Sequence, residues 1–390
     1  MMRPFLLFAA VAFVLGCGSH GTDEPLAELQ TASNETPRSV EVPKEEGLRE
    51  LIDRTLDFTQ HGREMSLEDH AAWQLLHGVL AFGENFEILS AGQKVNAVDW
   101  VFDGKPMKGW TINATPQGLR AEIEAGKYGQ GHDDQWMAIL SQWNVPATRP
   151  IIVAGKEYSV QDLIDRTKYD CFEGKESSWT IIVLSKHLDP MDQTWVGTDK
   201  QEWSLERLVA MEAGAQYGDE EMAQDEIANS ACGGMHRLIG LSIALNNYKA
   251  AHPGVELKGG WLAAQQRIDW AVAAARELQL PTGAFSIAFL FRSANSNNLD
   301  EHLAATGHTL EFLTFALSKK QLEEPWVQKA VVYMCNLLDR TKHLDLECGG
   351  LYHAVHGLVL YREKVFGPRE GEPRPQGAGK LAGATTAAAN

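Results

Sequence analysis

The 390-residue chain has no two cysteines spaced as CxxC, which excludes the four-cysteine zinc fingers built on such pairs. No apolar run reaches the roughly 20 residues that a membrane-spanning helix needs. Positive charge is in deficit as well: 35 Lys and Arg stand against 52 Asp and Glu, a net charge of −17. Nucleic acid and anionic membrane surfaces both attract a basic footprint, so neither is expected as a partner. What is present, 44% hydrophobic and 22% charged residues, is the composition of an ordinary folded chain with a buried core.

The first residues carry an address. Arg3 supplies a short positive start, Phe5 to Val14 is an apolar run of signal-peptide length, and Val14-Leu15-Gly16-Cys17 places a small residue just before a cysteine. This stretch resembles a bacterial lipobox. The resemblance implies cleavage of residues 1–16 and a lipid on Cys17, which would hold the protein at a bacterial membrane on its extracytoplasmic side. The mature chain, without Arg3, would then carry one more net negative charge. Residues 17–46 are polar, acidic and Pro-bearing and read as a flexible tether, and 367–390, rich in Gly, Pro, Ala and Thr, as a disordered tail. The remaining 47–366 are expected to form the folded domain.

That domain is organised by a repeat. Leu51-Ile52-Asp53-Arg54-Thr55, Leu163-Ile164-Asp165-Arg166-Thr167 and Leu337-Leu338-Asp339-Arg340-Thr341 are nearly one pentapeptide, echoed weakly in Arg267-Ile268-Asp269. Each lies in an apolar-periodic segment followed by a second such segment, the pattern of helical hairpins. The second helices also begin alike. Ser66 with Asp69 and Asn298 with Glu301 read as capped starts bearing His70 and His302. Cys232-Gly233-Gly234-Met235-His236 and Cys348-Gly349-Gly350-Leu351-Tyr352-His353 open two more. Gly78, Gly240, Gly307 and Gly357 fall inside these helices, and since Gly there costs up to about 1 kcal/mol against Ala, close packing or an approach to a ligand is expected.

Helical hairpins with small-residue-rich second helices resemble the α/α toroid of terpenoid cyclases, protein prenyltransferase β-subunits, lanthionine cyclases and several polysaccharide lyases. Gly260-Trp261-Leu262 and Leu280-Pro281-Thr282-Gly283-Ala284-Phe285 are similar to the cyclase repeat. The resemblance implies an all-α toroid of about five or six hairpins around a central cavity. It implies no particular chemistry, because unrelated activities share a fold.

One region, about 96–159, breaks the helical rhythm. Val98 to Phe102 with Gly109 to Ile112, and Ile151 to Val153 with Tyr158 to Val160, read as β-hairpins, and Thr115-Pro116 as the start of a helix running to about Ala125. The Gly-rich loop that follows delivers His132, Asp133 and Asp134 onto a helix starting at Gln135. These residues read either as a helix cap or as an acid or base with its neighbour.

Four cysteines besides Cys17 remain. In an oxidising compartment an even count suggests disulfides, with Cys171 to Cys232 and Cys335 to Cys348 as one set of pairs, or buried inert thiols. No cofactor is required by any complete motif. The prenyltransferase and lanthionine cyclase resemblance adds zinc as the competing reading, with Cys232, Cys348 and one of His236, His353 or His356 as ligands, although neither family's Cys-His-Gly nor Asp-x-Cys pattern is present.

Equivalent helices in a toroid start at the same end, so His70, His236, His302 and His353 are expected to ring one mouth with His132, Asp133 and Asp134. Two functions follow. One is a tethered toroid that binds a polysaccharide, peptide or small-molecule ligand, or a protein partner, at its cavity. The other is a carbohydrate-active hydrolase or lyase, with Asp133 or Asp134 as acid or base and His302, Arg292 and Asn298 stabilising charge.

Overall fold

Two kinds of helix alternate along the chain. In α1 (Glu45–Gly62) the buried positions Leu48, Ile52, Leu56 and Thr59 form a single stripe, as expected for a helix lying on a core. In α2 (Ala72–Phe82) nearly every residue is buried. The half-buried type recurs in α3 (Ala97–Phe102), α5 (Val160–Tyr169), α7 (Leu205–Glu212), α9 (Gly259–Glu277) and α12 (Pro325–Arg340). The other type recurs in α4 (Gln135–Gln142), α6 (Ser178–His187), α8 (Met235–Ala251), α10 (Leu299–Ala316) and α13 (Cys348–Phe366). A short α11 (Lys319–Leu322) sits between α10 and α12. The repeated pentapeptides fall on α1, α5 and α12, the half-buried partners in each case.

This computed structural model describes residues 41–124, 131–143, 145–188, 194–214 and 231–369, all within one unit, Arg38–Asn390. The signal segment, Cys17 and most of the expected tether lie outside the described residues, as do the last 21 residues of the expected tail, 370–390. Among the described residues no helix is long and apolar enough to cross a membrane.

The deeply buried helices pack in a cyclic order: α2 on α4, α4 on α6, α6 on α8, α8 on α10, α10 on α13, and α13 back on α2. Each half-buried helix packs on buried ones, with α1 on α13, α3 on α2, α5 on α6, α7 on α6 and α8, α9 on α8 and α10, and α12 on α10. The α10 and α13 pair shows how closely the buried helices meet. A Cβ at Gly307 would lie 2.8 Å from the Ala354 nitrogen, one at Gly357 3.0 Å from the Glu311 nitrogen, and one at Gly350 3.1 Å from the Ala304 nitrogen. The partner numbers 304, 307 and 311 climb with 350, 354 and 357, so α10 and α13 run parallel. Gly240 meets Ser178 of α6 in the same way, at 2.7 Å.

Among the described residues the β-strands form four two-stranded antiparallel hairpins: β1 (Glu87–Ser90) with β2 (Gln93–Asn96), β3 (Trp110–Thr115) with β4 (Gly118–Ile123), β5 (Pro150–Val153) with β6 (Lys156–Ser159), and β7 (Thr194–Val196) with β8 (Glu202–Ser204). Three of them lead directly into a helix at the same spacing. Asn96, Ser159 and Ser204 each precede a helix five residues after Ala91, Ala154 and Asp199, which stand at the hairpin turns. Asn96 Oδ1 accepts from the Val98 and Asp99 amides, and Ser204 Oγ from that of Arg207.

Three local expectations are corrected. Residues 97–102 form α3 rather than a strand, because Asn96 caps them. The expected helix after Thr115-Pro116 is β4, since Thr115 Oγ1 donates to the Gly118 carbonyl and closes a hairpin turn. Helix α2 starts at Ala72 rather than near Ser66: Ser66 Oγ donates to Asp69, Ser66 bridges to Leu89, and the Ala71 amide is taken up by Gln74 Oε1.

Candidate metal centre

The entry to α8 determines the site. Cys232, Gly233 and Gly234 all have left-handed backbone, at φ of +53°, +60° and +79°. This turn folds the chain back so that Cys232 and His236, on the first turn of α8, come together with His308 from the middle of α10. The ligand atoms of Cys232, His236 and His308 all lie within 4.8 Å of one another, the group among the described residues that could hold a metal ion.

The imidazoles have the chemistry of potential ligands. His308 donates its Nδ1–H to the Ala304 carbonyl at 2.7 Å, which leaves Nε2 as the bare nitrogen of the neutral ring. That Nε2 is buried without a hydrogen-bond partner, and so are both ring nitrogens of His236. Buried polar atoms normally find partners, and these three are among the buried side-chain atoms that have none. Two imidazoles on one tetrahedral ion, bonded at about 2.0–2.1 Å, hold their centroids about 5 Å apart. His236 and His308 stand 5.0 Å apart.

More imidazole surrounds this pair. His353 of α13 lies 3.9 Å from His308 and 5.1 Å from His236. His77 of α2, which donates to the Trp73 carbonyl at 2.6 Å, lies 5.3 Å from His353. Behind them Glu311, itself 1% exposed, accepts from His353 Nδ1 and His356 Nδ1 at 2.6 Å each. Burial holds these rings neutral: it lowers His77 to about 4 and His308 to about 3, and puts His236 and His353 well below the ordinary imidazole value. A neutral ring is the form that binds metal.

On the near side Trp179 sits 4.5 Å from His236. His132 lies 6.1 Å from His236 and bonds Glu176 through Nδ1 at 2.9 Å.

Of the sites expected from sequence, Cys232 and His236 therefore belong to the group, His353 packs against its two imidazoles, and His132 lies at its margin. His70 does not: its Nδ1 is engaged by the Ser66 backbone. His302 bonds the Ser296 carbonyl through Nε2 and faces Tyr333, and Arg292 is exposed. Asp133 is exposed, and Asp134 stands at the N-cap position of α4 without a side-chain cap hydrogen bond. Asp134 accepts from Lys175, Thr180 and Thr167 at 2.9, 2.6 and 2.9 Å. Burial alone would raise its pKa, but the Lys175 ammonium and these hydrogen bonds outweigh it and hold the carboxylate below its ordinary value. Cys348, which receives Gln74 Nε2, and His356, held by Glu311, stand outside the Cys232 group. The disulfide expectation is corrected too. Cys171, Cys232, Cys335 and Cys348 are all thiols.

His77, His308 and Glu311 were missed. A signal was available: His77-Gly78, Gly307-His308 and His356-Gly357 each set a histidine beside a glycine of the buried helices, and Glu311 is the lone charge between Leu303 and Ala316.

No protein family, characterised protein or solved structure matches the chain.

Proposed function

We propose that this chain is an extracytoplasmic lipoprotein whose helices close into an α/α toroid of six hairpins, with a zinc-class ion held at the centre by Cys232, His236 and His308. The cyclic order of the six buried helices supports the toroid, as does the parallel run of α10 and α13, since parallel neighbours need a crossing connection such as α12 between them. The observation that carries the metal is His236, a buried ring with two unpartnered nitrogens beside a thiol and a second bare imidazole. Sulfur and imidazole donors suit zinc and its neighbours rather than calcium or magnesium.

Three protein ligands leave a fourth position for water or a substrate, the pattern of catalytic rather than structural zinc. In this reading a polysaccharide, peptide or small-molecule ligand is engaged at that position, and Cys17 carries the lipid that ties the domain to the membrane. The alternative of sugar chemistry through Asp133 and Asp134 finds no support, because Lys175 occupies the buried one of the two.

The test is metal uptake by the purified chain. One zinc or cobalt ion per chain is expected, the cobalt form showing a thiolate charge-transfer band that Cys232→Ser abolishes, while His308→Ala weakens binding. A wild-type chain that retains no ion after loading and desalting would rule the metal out. Mass spectrometry of the native N-terminus tests the anchor, and an unmodified Cys17 would refute it.

A further inference from the structure

His353 stands one step back from the three converging ligands. Its ring touches both of the imidazoles among them, at 5.1 Å from His236 and 3.9 Å from His308, yet its nitrogens fall outside the 4.8 Å group. Its orientation is fixed from behind by Glu311, which lies one turn along α10 from His308 and accepts the His353 Nδ1–H at 2.6 Å. The second oxygen of Glu311 is anchored in turn by His356, whose ring lies 6.3 Å from that of Trp143 and 6.2 Å from that of Phe315. A neutral imidazole that donates from Nδ1 presents Nε2 as an acceptor. The groups around it are His77 on α2, His236 on α8, His308 and Glu311 on α10, and His356 on its own helix. His77 and His308 spend their Nδ1–H groups on backbone carbonyls, and neither ring nitrogen of His236 is hydrogen-bonded to it.

We propose that His353, held by Glu311, selects what occupies the fourth position of the ion: its Nε2 accepts a hydrogen bond from a ligand whose metal-bound atom keeps a hydrogen. Water, alcohols and N–H ligands belong to this class. An anion without hydrogen gains nothing from His353. The inference rests on the metal reading above, and His353 and Glu311 act in it as positioning residues, with no proton transferred.

The experiment uses the full chain loaded with cobalt and follows its visible spectrum. Methanesulfonamide, which binds through nitrogen and retains an N–H, is titrated against thiocyanate, which has no hydrogen. In His353→Phe the sulfonamide affinity is expected to fall about 3- to 10-fold, the range of one hydrogen bond, with thiocyanate affinity changed by less than about 2-fold. Glu311→Gln should shift the ratio in the same direction, since Gln offers one acceptor where two N–H groups need one each. Equal changes for both probes, or none, would overturn the proposal.

A measurement on the wild type alone guards against variants that fail to fold. With an NMR-active cadmium isotope in the site, the His353 Nε2 signal should show no coupling to the metal and should move when methanesulfonamide is added. Direct coupling, or a signal that stays put, would equally overturn it. A wild-type chain that takes up no cobalt rejects the metal reading itself, an outcome distinct from wild-type uptake followed by unresponsive variants.

Discussion

His308 and His353 lie ring on ring, 3.9 Å between centroids and 28° between planes, although they belong to different helices. The cause is in the backbone. Gly307 lets α10 approach Ala354 of α13 so closely that any Cβ at 307 would sit 2.8–2.9 Å from three of its atoms. Helix propensity alone would favour Ala at this position by about 1 kcal/mol. Overpacking costs about 1–3 kcal/mol and should win, so Gly307→Ala is expected to lower the urea midpoint. The same substitution at Gly254, where nothing lies within 4 Å but φ is +81°, would meet backbone strain and no packed neighbour. A stabilised Gly307→Ala would mean the two helices are free to move apart.

The buried imidazoles make the fold sensitive to mild acid. His77 and His308 titrate near 4 and 3 in the folded chain against an ordinary 6.5, because burial penalises the charged ring. Their folded values are depressed, so the unfolded chain binds the extra protons as pH falls from 6.5, and the stability they contribute is fully present above that pH. At pH 5 each should have lost roughly 2 kcal/mol. The metal-free chain should therefore unfold at clearly lower urea at pH 5 than at pH 7.5. Matching midpoints would show that these rings are not buried as described.

How much of this was legible in the sequence depended on whether the signal was local. The pentapeptides located α1, α5 and α12 because a buried stripe repeats within one helix. Gly240, Gly307 and Gly357 marked close approaches for the same reason, that a missing side chain is visible without its partner. Residues 119–123 alternate as Leu-Arg-Ala-Glu-Ile, the pattern of β4, but Pro116 suggests a helix start and the strand at 109–112 is claimed in the sequence by 98–102. The histidines failed differently. Counting from helix starts selected His70 and His302, whereas neighbouring buried helices are staggered, and the centre collects residues at different depths: the second of α8, the sixth of α2, the tenth of α10. Stagger is a property of packing, and no single segment encodes it.

Asp134 and Asp133 should behave as opposites. Lys175 is 3% exposed in its side chain and pairs with Asp134 at 2.9 Å. Removing the carboxylate strands a buried ammonium, which costs about 3–5 kcal/mol, far above the roughly 1 kcal/mol of a lost helix cap. Asp134→Ala is expected to destabilise by that larger amount, and Asp133→Ala, at the exposed neighbour, by less than about 0.5 kcal/mol. Equal effects measured by urea unfolding would contradict the buried pair.

The four thiols should differ in reactivity in a way that reports on the centre. Burial pushes Cys171, Cys335 and Cys348 up to about 12, so at pH 8 only about one in ten thousand of each is thiolate, the reactive form. Cys232 is half-buried, on a left-handed turn. A maleimide added to the native protein at pH 8 should therefore label Cys232 ahead of the other three, as peptide mapping by mass spectrometry can show. Prior loading with zinc should suppress that labelling, since a thiolate bonded to the ion has its lone pair engaged. Unfolding in urea should expose all four. Labelling of Cys232 that is indifferent to zinc would remove the thiol from the ligand set and leave His236 and His308 without their third partner.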